Sequence, residues 1–164
     1  MNPYDLEKLN TAANLLVNQE AFSETVGRLS EEARHSQEPF AWSVIDPKSI
    51  AAELPEGIKS CWVFVLKGGV PSGRHYHPNS IQHMVVVRGR GVSNVGGATK
   101  RMARLGSRDH SLADIWYVIG EGVPHEFFPE GEEMVVVSFH TCEAHELEEV
   151  ACETGESRRY EGGA

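Results

Sequence analysis

His75 and His77 are the residues in this 164-residue chain whose type and spacing point most directly to chemistry. Side chains alternate between the two faces of an extended strand, so His75 and His77 point the same way and Tyr76 the other. After a Pro78-Asn79 turn the chain returns through Ile81–Arg88, where Gln82, Met84 and Val86 share one parity and Ile81, His83, Val85 and Val87 the other. If Met84 and Val86 fill a core, Gln82 points into it as well. His125, directly after a Gly120–Pro124 turn, could close the set from a strand distant in sequence. Two imidazoles on one face, an inward amide and a third imidazole are the material of a metal site. The His-x-His pair alone is not specific for one.

Two kinds of element must position these residues. In residues 1–39, Leu6, Leu9, Ala13, Leu16 and Val17, then Phe22, Val26, Leu29 and Ala33, recur at three- and four-residue steps. That spacing predicts two amphipathic helices, or one broken near Asn18, serving as packing elements. From Phe40 the period becomes two, with β-branched and aromatic residues between Gly and Pro punctuation. Strands are expected at Ala41–Ile45, Cys61–Lys67, Ser72–His77, Gln82–Arg88, Gly91–Val95, Ile115–Ile119, His125–Phe128 and Met134–His140. Short strands at this spacing predict a mainly β jelly-roll or barrel over residues 40–150. Residues 151–164, rich in Gly, Glu and Arg, read as a disordered tail.

Composition narrows the classes of function. No apolar run approaches the ~20 residues of a membrane-spanning helix, and the first 30 residues, with four acidic side chains, do not resemble a secretory leader. A cytoplasmic protein is expected, with no membrane partner. Cys61, Cys142 and Cys152 form no CxxC pair and are read as reduced thiols. A net charge of −9 argues against nucleic acid as a partner. Residues 69–112 nevertheless hold seven basic side chains and one acidic, read as a solvated segment facing acidic parts of the same or a partner chain. Arg74 is expected at the mouth of the pocket, with Arg88 and Arg90 as a cationic edge there.

Gly69-x5-His75-x-His77-x4-Gln82-x6-Gly89 resembles the first motif of the cupin superfamily, G-x5-H-x-H-x3–4-E-x6-G, with Gln82 in the acidic position. Gly120-Glu121-Gly122-Val123-Pro124-His125 resembles the second, P-x-G-x2-H, with Gly120 in place of proline; Pro129 stands where an asparagine is usual. The resemblance spans about residues 60–140. It implies a cupin-type double-stranded β-helix, a jelly-roll barrel with an N-terminal helical segment, holding one metal through His75, His77, Gln82 and His125. Three neutral imidazoles and one amide oxygen suit a divalent transition ion such as Fe, Mn, Ni or Zn, with positions left open for water or substrate.

An amide in place of a carboxylate leaves the ligand charge at zero. The ion should then be held less tightly, its bound water should be a stronger acid, and the trivalent state should be harder to reach. Gln82 cannot act as a general base, so proton transfer falls to another group. Parity offers His140, on the face of Val136 and Ser138, and Tyr76 or His83 should the register differ. His83, opposite in parity to Gln82, stays off the ligand list; His35 and His110 are read as solvated and His145 as a rim residue. The resemblance implies a metal-dependent enzyme acting on a small organic metabolite, either dioxygenase-like or a Lewis-acid isomerase, cyclase or lyase. A non-catalytic cupin that binds or senses a small molecule is the alternative. Barrels of this size commonly pair through edge strands or helices, so a homodimer is expected.

Overall fold

The computed structural model describes residues 3–160, with side chains from Asp5 onward. The helical spacing is realised as α1 (Pro3–Val17) and α2 (Glu20–His35), separated at Asn18-Gln19. Their apolar stripe, including Leu9, Ala13, Leu16, Val26 and Leu29, is fully or almost fully buried. No helix among the described residues is long and apolar enough to cross a membrane.

The β region comprises β1 (Phe40–Ile45), β2 (Ser60–Leu66), β3 (His75–Tyr76), β4 (Gln82–Arg88), β5 (Gly91–Val95) and β6 (Ala98–Arg101). After the single helical turn α3 (Leu112–Ile115) come β7 (Tyr117–Ile119), β8 (His125–Pro129), β9 (Met134–His140), β10 (Glu148–Ala151) and β11 (Ser157–Arg159). They form a five-stranded sheet in the order β1-β2-β9-β4-β7 and a six-stranded sheet in the order β11-β10-β3-β8-β5-β6. Every pairing within them is antiparallel. This is the mainly β jelly-roll with N-terminal helices that the sequence pattern predicts.

The five-stranded sheet is covered on both faces, which explains why all seven residues of its central strand β9 are buried. Val135, Val137 and Phe139 pack with Val63, Val65 and Val85 under α1 and α2. Met134 and Val136 turn inward, to a second core with Trp62, Met84, Val86 and Phe127. A sheet buried on both sides loses the polar half of its alternation, so its strands read as apolar runs. Gly89, after β4, has φ +88°, and a Cβ there would lie 2.4 Å from Glu133 O. Only glycine lets the β4–β5 turn sit against the start of β9.

Several boundaries differ from the sequence expectation. The strand expected over Ser72–His77 shrinks to His75–Tyr76, because Gly73 adopts φ +91° and Pro71 lacks an N–H to donate. Residues 112–115 form a helical turn whose start is capped by Ser111 Oγ accepting from Asp114 N–H at 3.3 Å, so the strand expected from Ile115 begins at Tyr117. β6 escaped notice because all four of its residues are exposed and carry no alternation.

The largest correction is at the C-terminal end. Residues 151–164 were expected to be disordered, but Ser157–Arg159 pairs with β10 and Tyr160 is buried in the inner core. Local composition was polar, while the stabilising partners Phe40, Trp42, Trp62 and Phe64 lie far away in sequence. Residues 161–164 lie outside the described part of the chain.

Candidate metal centre

Each sheet contributes one half of the site. In the six-stranded sheet His75 of β3 lies directly opposite His125 of β8, and His77 follows two residues later. Gly122 N–H donates to His77 O at 2.9 Å, fastening the turn before His125 to the first histidine pair. In the five-stranded sheet Gln82 of β4 and His140 of β9 are register partners, so their side chains share the inward face. One ring nitrogen from each of His75, His77 and His125 falls within 4.8 Å of the others, a grouping able to hold a metal ion. The ring centroid of His140 lies 5.3 Å from that of His77, outside the three-histidine group but on the same cavity.

Hydrogen bonds orient each donor. His77 Nδ1–H donates to Glu148 O at 2.8 Å and His125 Nδ1–H to Val123 O at 3.0 Å. His75 Nδ1–H is directed at Gly73 O at 2.9 Å. With Nδ1 protonated in all three rings, each Nε2 keeps its lone pair free. Gln82 Nε2 donates to Ser138 Oγ at 3.1 Å, which leaves Oε1 without a partner.

Burial lowers the pKa of His77 to about 4, with a smaller contribution from neighbouring His75. His125 and His140 are held well below the usual imidazole range, first by burial and then by the adjacent histidines. These rings are neutral at pH 7, the state a metal requires.

No protein-family model and no curated protein matches the sequence. Among solved structures, the Cnp3 cupin domain of Schizosaccharomyces pombe aligns over 63% of this chain and 65% of its own, with TM-score 0.47 and 13% identity. A salicylate 1,2-dioxygenase from Pseudaminobacter salicylatoxidans aligns over 72% of this chain and 33% of its own, with TM-score 0.52 and 13% identity.

The chain has the cupin fold.

In both alignments the chain spans less than two thirds of the other protein's length, and the likeness is one of fold. His75, His77 and His140 line a small cavity of about 40 Å³, walled by Phe64, Leu66, Met84, Phe127 and Val136. A more open cleft of about 280 Å³ shares Phe40, Ser72 and His75 with it and carries Arg74, Glu149 and Arg158. Arg74 lines this neighbouring cleft and not the cavity itself.

Arg88 and Arg90 line neither. They follow Gln82 along β4 by six and eight residues, roughly 20 Å at strand spacing, and line a separate cleft with Arg104. Arg88 faces Glu133 at 3.6 Å and Arg101 faces Glu130 at 2.5 Å, the acidic neighbours expected for this cationic segment.

Tyr76 is a further correction. It pairs with Val150 and does not line the cavity, because alternation along β3 sends it to the face opposite His75 and His77. His83 is buried with Nδ1 3.3 Å from Phe139 O, away from the cavity. His35, His110 and His145 are exposed.

Sequence reasoning missed Glu149 and Tyr160. Glu149 is buried with Oε1 3.1 Å from His75 Nδ1, while its Oε2 accepts from Arg158 Nε at 2.8 Å and from the Tyr160 hydroxyl. Tyr160 also lines the cavity. The available signal was a Glu-x-Ala alternation in β10, hidden by the run of acidic residues around it.

Proposed function

We propose that this protein is a metal-dependent enzyme in which His75, His77, Gln82 and His125 hold one divalent transition metal and His140 handles a proton of a small organic substrate. One observation carries the reading. Gln82 Oε1, His125 Nε2 and His140 Nε2 are buried and have no hydrogen-bond partner; Gln82 and His140 line the cavity, and His125 is grouped with the cavity-lining His75 and His77. Leaving a buried polar atom unpaired costs about 1–3 kcal/mol, so three such atoms in and beside one histidine cluster argue for a group that they bind. A divalent ion there would polarise a substrate oxygen and acidify a bound water.

The protein's own residues supply the rest. Ser80 Oγ lies 3.2 Å from Ile81 O and 2.8 Å from His140 Nδ1. With the hydroxyl donating to Ile81 O, His140 Nδ1–H donates to Ser80, and the unpartnered Nε2 remains as the acceptor on a ring that lines the cavity. Aromatic and aliphatic side chains make up most of the remaining wall. A 40 Å³ cavity has room for about three water-sized groups. It suits the oxygen-bearing head of a substrate whose polar remainder rests in the cleft beside Arg74. A neutral ligand set favours Lewis-acid work on an enolisable carbonyl, such as isomerisation, cyclisation or elimination. An oxygen-dependent reaction is the outcome if the metal is iron. Pairing into a homodimer in the cytoplasm belongs to the same reading, and a sedimentation mass near 18.1 kDa would remove the dimer from it.

Elemental analysis of tag-free protein, beside a His75→Ala/His77→Ala variant, tests the proposal. Near-stoichiometric metal lost in the variant is expected; iron directs the next assay to oxygen uptake, zinc or nickel to oxygen-independent chemistry. His140→Gln is expected to keep the metal and to lose about 10²–10⁴-fold in turnover. No metal in either protein after anaerobic addition of Fe, Mn, Ni and Zn would overturn the reading and leave a cupin that binds small molecules without catalysis.

A further inference from the structure

We propose that Glu149, acting through His75, supplies to the metal centre the negative charge that its four ligands lack. The inference rests on the metal-binding reading above and concerns a residue outside the ligand set. Ala151 of β10 lies opposite His75, and Glu149 shares its parity, so the carboxylate points to the face that carries the imidazoles. It is only 6% exposed. Burying a carboxylate is expensive unless something nearby repays it.

The two oxygens divide the work. Oε2 is occupied by Arg158 Nε at 2.8 Å and by the Tyr160 hydroxyl. Oε1 has neither of these partners and lies 3.1 Å from His75 Nδ1. The Nδ1–H itself is directed at Gly73 O, so Glu149 acts on the ring by its charge. Arg158 does not cancel that charge, because a second carboxylate, Glu38, shares it at 3.3 Å; the group Glu38, Arg158 and Glu149 is left with a net −1. A carboxylate beside the non-ligating nitrogen of a histidine raises the basicity of the ligating one. Gln82 leaves the donor set neutral. Glu149 places an anion one ring away, so the ion is held more firmly while no coordination position is used.

The experiment is titration of the metal-free full-length protein with Co²⁺ and with Zn²⁺, followed by competition and by the visible Co²⁺ spectrum. Four proteins are compared: wild type, Glu149→Gln, Gln82→Glu and the double variant. Glu149→Gln is expected to weaken both ions by about 10–100-fold and to shift the Co²⁺ bands. In the Gln82→Glu background the same change is expected to cost less than about threefold, since the ligand set already carries a charge there. Equal losses in both backgrounds would assign Glu149 a purely structural role and overturn the proposal, as would Co²⁺ affinity within about twofold of wild type.

Arg158→Gln provides an independent arm should Glu149→Gln fail to fold. It removes the opposing cation and leaves the carboxylate, so binding at least as tight as wild type is expected, and a tenfold weakening overturns the proposal. A wild-type protein that binds neither ion defeats the metal reading, and the role of Glu149 with it. A wild type that binds, beside a Glu149→Gln variant that binds equally well, defeats the role of Glu149 alone.

Discussion

Gln82 decides what kind of metal centre the proposed site can be. Its amide is oriented by the bond from Nε2 to Ser138 Oγ at 3.1 Å, so the unpartnered oxygen is the atom offered to the cavity. Replacing it with glutamate keeps the shape and adds one charge. Gln82→Glu is expected to bind Zn²⁺ and Co²⁺ about tenfold or more tightly, by about 1.4 kcal/mol. It should also raise the pH at which the Co²⁺ spectrum changes, because an anionic ligand opposes loss of a proton from bound water. A competition titration and a spectroscopic pH titration check both. Unchanged affinity together with an unchanged pH profile would defeat the charge argument. Strand alternation is what makes the shared face of His75 and His77 and the inward side of Gln82 legible in the sequence, while His125 is picked out by its place in the second motif. Glu149 was not legible, because its burial depends on Arg158 of β11 and on Tyr160 just after it, partners that local composition does not announce.

At the scale of elements, legibility followed burial. β4, β5 and β9 begin and end where the apolar pattern begins and ends, since each packs a face that the pattern records. β3, β6 and β11 were shortened, missed or read as disorder, since two to four residues held mainly by backbone pairing leave no period to detect. The C-terminal strand gives the sharpest contrast. The Tyr160 ring lies 4.9 Å from Trp42, 5.8 Å from Trp62 and 5.9 Å from Phe64, and the Arg158 guanidinium lies 4.8 Å from its centroid. If the tail were disordered, Tyr160→Ala would change stability by no more than about 0.5 kcal/mol. Removed from an aromatic core, the ring is expected to cost about 3–5 kcal/mol. Urea unfolding of the metal-free protein separates the two, and a midpoint equal to wild type would return the tail to disorder.

For the whole molecule, the proposed centre is a seam between two sheets, with His75, His77 and His125 on one side and Gln82 and His140 on the other. Burial keeps the imidazoles of His77, His125 and His140 neutral, so the folded state refuses protons there that the unfolded chain accepts. His77 titrates at about 4 when folded, against 6.5 for an ordinary imidazole, and His125 and His140 are lowered in the same direction. Between those values the unfolded chain binds more protons, so stability rises with pH and is lost as pH falls below 6.5. From pH 7.5 to pH 5 the His77 shift alone is worth about 2 kcal/mol, in a range above the ordinary carboxylate titration. Urea midpoints of metal-free protein in a chelating buffer should therefore fall steadily over that interval. Metal loading should raise the midpoint at pH 7.5 with the logarithm of ion concentration over Kd, and that gain should shrink on acidification as protons compete for the same nitrogens. A chelated protein with a flat profile from pH 7.5 to pH 5 would mean that the buried rings are solvated or already paired, and the seam would lose its claim to be a metal centre.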